Sequence, residues 1–195
     1  MKIRLKDIAK INVGLVLNRK KANLSKDDKF YYNIVSLKSF NEDAIYDNTF
    51  SDEFISNEQI KEDYQVKQGD ILLRLRKPNL ALFIDKEYEN LIYSSLIVRI
   101  KLQDDKFDAN FLAYYLNSNI VKKELLQEVV GTAIPMIKVA DVSKISIPLI
   151  SLNRQKKIVK YLKLAKQENE LLQKLINQKQ KHSKEIFETI LQGEK

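Results

Sequence analysis

SLNRQKKIVKYLKLAKQENELLQKLINQKQKHSKEIFETIL, residues 151–191, contains neither Pro nor Gly. A 4-3 alternation runs through Ile158, Leu162, Ala165, Asn169, Leu172, Ile176, Lys179, Ser183, Ile186 and Ile190, and seven of these ten positions are apolar. Side chains three and four apart share one face of a helix. The spacing therefore predicts a single helix of about 60 Å at 1.5 Å rise per residue. A helix of that length outruns what a domain of this size can cover, so its stripe calls for a partner helix in a coiled-coil-like contact. Asn169, Lys179 and Ser183 interrupt the seam; polar seam residues weaken a coiled coil but can fix register and strand orientation. The apolar seam residues, with Asn169, are the candidate dimer or partner contacts.

Upstream of this helix the period changes. Residues 1–149 read as an α+β domain with a largely antiparallel sheet, and residues 150–195 as the long helix. Lys6 to Ile11 reads as a short helix. Phe30 to Leu37 (FYYNIVSL) is aromatic and β-branched and reads as a strand. Asp70 to Leu75 follows Gly69 and reads as another, and Leu80 to Ile84 and Leu96 to Leu102 complete the antiparallel set. Asn79, after Pro78, marks a turn. Phe111, Leu112, Tyr115 and Leu116 recur at helical spacing with Asp108 as N-cap. A second helix is expected from Ile120 to Val129, stopped by Gly131. An uncharged loop, GTAIPMI, leads to a short strand from Ile145 to Ile147, ended by Pro148.

Composition narrows the class. The 195 residues are 44% apolar and 31% charged, with 7 Gly and Pro together, which suits a folded domain plus an extension. There is no Cys, which excludes disulfides and Cys-based zinc sites; a reducing cytoplasm is the expected home. No signal peptide is expected at Met1 to Lys10, and no stretch reaches the roughly 18 apolar residues of a membrane helix. The net charge of +8 is unevenly spread. Residues 1–149 carry 23 Lys/Arg against 21 Asp/Glu (+2), and residues 150–195 carry 11 against 5 (+6). Six basic residues from Arg154 to Lys166 precede the first acid, Glu168, whereas Glu42 to Asp63 holds eight acids against Lys61. Any contact between the domain and an anion must come from local clusters.

Most catalytic chemistry is missing. Gly14, Gly69, Gly131 and Gly193 are too far apart for a phosphate-binding loop or a dinucleotide fingerprint. His182, the single histidine, lies mid-helix among Lys and Gln and reads as a solvated or seam residue. One His and no Cys leave little for a transition metal. Asp27-Asp28 and Asp104-Asp105 read as solvated turns. No catalytic or metal residue is assigned.

Three clusters suit DNA. The first is Arg19-Lys20-Lys21, which also reads as a solvated loop. The second is Arg74, Arg76, Lys77 and Asn79 at the end of a strand, where alternation puts Arg74 and Arg76 on one sheet face. Arg can pair bidentately with guanine and Asn with adenine, while Lys meets phosphate. The third is Thr132 in the GTAIPM loop, with Lys138; it also reads as a core-filling turn. Phe30-Tyr31-Tyr32 reads as core with one exposed face rather than a base-stacking platform.

The order of these segments resembles the DNA specificity subunit of type I restriction–modification systems, as one half of the usual two-repeat subunit. The residues that carry the likeness are LKDIAKINVG (5–14), GDILLRLRK (69–77), SSLIVRI (94–100), FLAYYLNS (111–118) and GTAIPMIKVADVSKISIPLISLNRQKKIVKYL (131–162). Ile150 stands where the family often has a second Pro. The resemblance implies one target recognition domain plus one conserved helix, with double-stranded DNA contacted by loops and strand ends, a role carried onto Arg74, Arg76, Lys77, Thr132 and Lys138. It implies no catalysis by the chain itself. Partner methyltransferase subunits would carry S-adenosylmethionine, a nuclease/translocase subunit could join them, and the chain holds no cofactor. Half length implies a homodimer reading an inverted repeat, or pairing with a different half subunit. A coiled-coil adaptor without sequence preference and a divalent-metal nuclease remain as other readings.

Overall fold

The computed structural model describes residues 1–23, 29–41, 43–77, 79–127 and 136–193, without the side chains of 126 and 127. The elements are β1 (Lys2–Arg4), β2 (Ala9–Val13), β3 (Phe30–Ile34), β4 (Asp52–Ser56), β5 (Ile71–Arg74), β6 (Ala81–Phe83), β7 (Leu91–Ile92), β8 (Ile97–Leu102), α1 (Ala109–Leu116), α2 (Asn119–Gln127), α3 (Val139–Lys144), β9 (Ser146–Pro148) and α4 (Leu152–Gly193), with single 3-10 turns between some of them. The fold is α+β with mostly antiparallel pairing and a long C-terminal helix, as the sequence reading expected. It divides into two units, Met1–Lys156 and Lys157–Lys195, so the first residues of α4 belong with the domain.

The central sheet has the order β2-β8-β5-β6, all antiparallel neighbours. Its inner strands are apolar on both faces because both faces are covered. Ile71 and Leu73 of β5 join Val98 and Ile100 of β8 in the core that also holds Leu112 and Leu116 of α1 and Val142 of α3. Leu72 and Ile97 point the other way, into a second core with Val35, Tyr46 and Tyr93. Each such side chain, fully buried, stabilises the fold by roughly 1.5–3 kcal/mol before entropy is counted. A three-stranded sheet, β4-β3-β7, includes the one parallel pairing of two named strands among the described residues, β3 with β7. A separate two-stranded ribbon joins β1 to β9.

Several expectations need correction. Lys6 to Ile11 is not a helix: a 3-10 turn at Leu5–Asp7 leads into β2. Leu5, Ile8 and Ile11 mimic helical spacing, but Ala9 to Val13 can pair residue for residue with β8, which already needs a neighbour on that side. Strand β9 includes Pro148 instead of ending before it, which works because Pro148 sits on a two-stranded ribbon. The strands β1, β4 and β7 and helix α3 carry no strong pattern of their own; β4 lies within the acidic stretch, with Phe54 and Ser56 turned inward. The expected end of the second helix at Val129, and its Gly131 stop, lie outside the described residues.

Gly14 explains a feature of the N-terminal segment. A Cβ there would lie 2.3 Å from Ser94 O and 2.4 Å from Tyr93 O. The chain passes this close because Gly14 N donates to Ile97 O and Leu15 N to Tyr93 O. Only glycine permits such an approach.

Candidate nucleic-acid interface

β2 and β5 each run antiparallel to β8, so they run in the same direction and end at the same edge of the sheet. The first two of the three basic clusters follow from that edge. Beyond β5, Leu75 N donates to Leu96 O, Ile137 N donates to Leu75 O, and Arg76 bridges Met136. The chain returning from the third cluster is thus joined to the second. Arg76 and Lys77 are exposed, and so is Lys138, the residue before α3, whose backbone N–H is accepted by Asp141 Oδ2 at 3.3 Å. Thr132 lies outside the described residues.

The alternation of β5 persists past its end: Leu75 joins Ile71 and Leu73 in one core, leaving Arg74 and Arg76 on the opposite side. Arg74 is half-buried, and its Nε is buried with no hydrogen-bond partner among the described residues. None of Arg74, Arg76 and Lys77 is ion-paired among the described residues. Asn79 differs from its sequence reading. Its Nδ2 donates to Arg74 O at 3.2 Å and to Leu75 O at 3.0 Å. A bidentate adenine contact needs that same amide nitrogen, so this conformation commits Asn79 to the turn.

The first cluster has a different setting. Arg19 ends a 3-10 turn, Leu17–Arg19, and is exposed. Lys20 is ion-paired with Glu58, and Lys21 bridges Ser56 beside β4. A cleft of about 340 Å³ lies there, lined by Lys20, Glu58, Lys61 and Asp63 among others. Acids from the 42–63 stretch therefore offset this cluster, whereas the β5 turn keeps its charge.

Two buried polar groups were not singled out by sequence reasoning. The first is Asp70 of the GDIL segment. Gly69 takes φ +88, letting Asp70 Oδ2 accept from Lys67 N at 2.9 Å. Arg99 Nη1, on the neighbouring strand, stands 3.8 Å from that oxygen and donates to Gln65 O at 2.7 Å. Burial pushes the Asp70 carboxyl above its ordinary range, outweighing the Lys67 N–H and the Arg99 charge, which pull it down. The second is Gln155, fully buried in the first turns of α4. Its Nε2 donates to Lys106 O at 2.9 Å and Ile150 O at 2.7 Å, and its Oε1 accepts from Asp108 N at 2.9 Å. Asp108 in turn caps α1, accepting from Phe111 N at 2.8 Å, as its sequence position suggested. The only sequence signal for Gln155 was its place in the segment that carries the family likeness.

On α4, the seam residues Asn169, Leu172, Ile176, Ile186 and Ile190 are exposed, while Ile158, Leu162 and Ala165 are half-buried. Of the seam interruptions, Ser183 bonds back to Lys179 O at 2.9 Å. His182 is exposed and lies 3.9 Å from Glu185. A second apolar stripe went unread: Tyr161, Leu164, Leu171 and Leu175 are exposed and, at about 100° per residue, sit roughly 100° around the helix from the first stripe. Lys156, Lys160 and Lys163 lie on the side turned away from the first stripe. No group of three or more potential metal ligands is found among the described residues, and no described helix is long and apolar enough to cross a membrane.

Residues 1–179 match the family described as the type I restriction modification DNA specificity domain. The chain is 31% identical over 134 residues to the type I restriction enzyme MjaVIII specificity subunit of Methanocaldococcus jannaschii, an alignment covering 66% of this chain and 31% of that protein. In structure it resembles the HsdS subunit of Thermoanaerobacter tengcongensis, with TM-score 0.67 at 15% identity over 90% of this chain and 44% of the other. It also resembles the type I restriction–modification S subunit of M. genitalium, with TM-score 0.53 at 17% identity over 91% and 41%. The chain spans less than half the length of each of these relatives.

Proposed function

Because the chain belongs to the type I restriction modification DNA specificity family, we propose that it is a non-catalytic specificity subunit whose domain reads one half of a bipartite site on double-stranded DNA. The observation that carries this reading is the β5–β6 turn. Arg74, Arg76 and Lys77 stand there without acidic partners among the described residues, and Lys138 lies two residues beyond Met136, the bridge partner of Arg76. Arg74, half-buried with its Nε out of solvent, loses less freedom on binding than the exposed Arg76 and Lys77, so it is the base-reading candidate and the others are phosphate contacts.

The exposed apolar seam of α4 supports pairing with a second copy, and such a homodimer would read an inverted repeat. The second stripe, roughly 100° away, gives the same helix room for a further helix from a methyltransferase subunit. In that assembly S-adenosylmethionine resides on the methyltransferase, a nuclease/translocase subunit can join, and the cytoplasm is the site of action.

The test is methylation mapping with the full chain and its candidate methyltransferase, with binding selection from a randomised duplex library alongside. The expected result is a split, two-part motif and, for six or so phosphate contacts, an affinity that falls about 10³-fold between roughly 50 and 200 mM salt. No motif together with a flat salt response would overturn the reading and favour a coiled-coil adaptor.

A further inference from the structure

We infer that Asn117 is a positioning residue for the basic turn between β5 and β6, although it lies 36 residues from its hydrogen-bond partner and carries no charge. This rests on the reading of that turn as a DNA contact.

β6 is the last strand of the central sheet, so one side of it faces no strand of that sheet. Ala81 stands opposite Leu73 of β5. The outward N–H and C=O of Ala81 both go to a single side chain: Asn117 Oδ1 accepts from Ala81 N at 2.6 Å, and Asn117 Nδ2 donates to Ala81 O at 3.0 Å. A carboxamide in this position copies a neighbouring strand's peptide group, and no other side chain except Gln offers the same donor–acceptor pair. Asn117 is itself held as the C-cap of α1, its N–H shared among the last carbonyls of that helix. The core-packed α1 thus grips the backbone of β6 at its first residue.

Two residues earlier, Asn79 makes the second grip, on Arg74 O and Leu75 O. Arg74 N, meanwhile, donates to Leu80 O. The turn is therefore closed by one asparagine from within and anchored by another from α1. Among the described residues, the side chains of Arg76 and Lys77 take no part in holding it; Arg76 contributes only its main-chain bridge to Met136. With Asn117 removed, Ala81 loses its outer partner, β6 frays from its first residue, and Leu80 and Asn79 loosen against Arg74 and Leu75, so the β6 side of the turn no longer fixes how Arg74 is presented. Charge, and with it attraction to any duplex, stays the same.

The experiment compares full-length wild type, N117A, N117D and N79A in selection from a randomised duplex library and in binding to one fixed, unrelated duplex. Amide exchange at residues 76–81 is followed without DNA. N117A is expected to lose roughly tenfold in preference for the selected half-site, the size of one mispositioned bidentate contact. Its affinity for the unrelated duplex should stay within about twofold, and exchange at Ala81 and Leu80 should rise. N117D keeps the acceptor for Ala81 N but turns a carboxylate oxygen toward Ala81 O, so exchange at Ala81 and Leu80 should rise at least as far as in N117A. If N117A does not fold at the assay temperature, N117D and N79A carry the same comparison. Unchanged preference in a folded N117A, or unchanged exchange across the turn, overturns the inference. If wild type itself shows no preference, the functional reading fails, and the exchange measurement still decides whether Asn117 orders the turn.

Discussion

Replacing Gln155 with Leu should cost about 2–4 kcal/mol of stability, although the two side chains are close in size. The glutamine makes three hydrogen bonds, two to carbonyls and one to a backbone N–H, from a site with no solvent exposure. Leucine satisfies none of them. A buried group left unpaired costs about 1–3 kcal/mol; because Lys106 is exposed and Asp108 half-buried, water reaches some of these partners, which argues for about 1 kcal/mol each. In a chain of this length that corresponds to a melting temperature lower by about 4–16 °C. Tyrosine fluorescence is the assay of choice: there is no Trp, and eight of the nine tyrosines precede residue 156. Q155E should do no better at neutral pH. Its carboxylate still accepts from Asp108 N but faces the carbonyls of Lys106 and Ile150, which acid would partly relieve by protonating it. A loss below about 0.5 kcal/mol for both variants would show that water replaces the amide and that Gln155 does not pin the start of the helix.

Three other outcomes follow from the same geometry. G14A should destabilise the domain by about 2–4 kcal/mol in urea titrations, since a Cβ would meet two backbone carbonyl groups that cannot swing aside. Tyr46 and Tyr93 are pushed from 10.0 up to about 12, chiefly by burial. Between those values the unfolded chain releases their protons first, so stability should fall as pH rises from 10 to 12, by up to about 1.4 kcal/mol per pH unit for each. Y93F, which removes a hydroxyl without a hydrogen-bond partner among the described residues, should flatten that fall in alkaline melts and cost little at pH 7. R74A should lose roughly 1–3 kcal/mol and relax preference at one base, whereas K77A should weaken binding to all duplexes alike and reduce the salt slope by about one. Competition titrations with specific and unrelated duplexes separate the two.

The long helix was legible because 41 residues without Pro or Gly leave one period to read. The inner strands β5 and β8 were legible because strands covered on both faces become continuous apolar runs. β2 was misread, since Leu5, Ile8 and Ile11 satisfy a helical spacing that only its pairing with β8 overrides. β7 is two residues long and is defined by its pairing with β3 and its bridge to Gln65, so no local pattern could announce it. At the candidate site, the strand-end arginines could be named from alternation and charge. The neutralisation of Lys20 could not, because Glu58 lies 38 residues away in sequence. The turn-holding role of Asn79 is local, but a Pro-Asn pair also marks an ordinary surface turn, so its two carbonyl bonds had no distinguishing signal.

The way this turn is fastened bears on how such a protein could change its target. Its shape is secured by main-chain groups and by two amides, and the positions at its tip are spectators to folding. Arg76 and Lys77 can therefore be exchanged for other side chains with little risk to the scaffold beneath. On the proposed reading, in which Arg76 and Lys77 meet phosphate, side chains of other chemistry there would add base contacts that the present pair does not make.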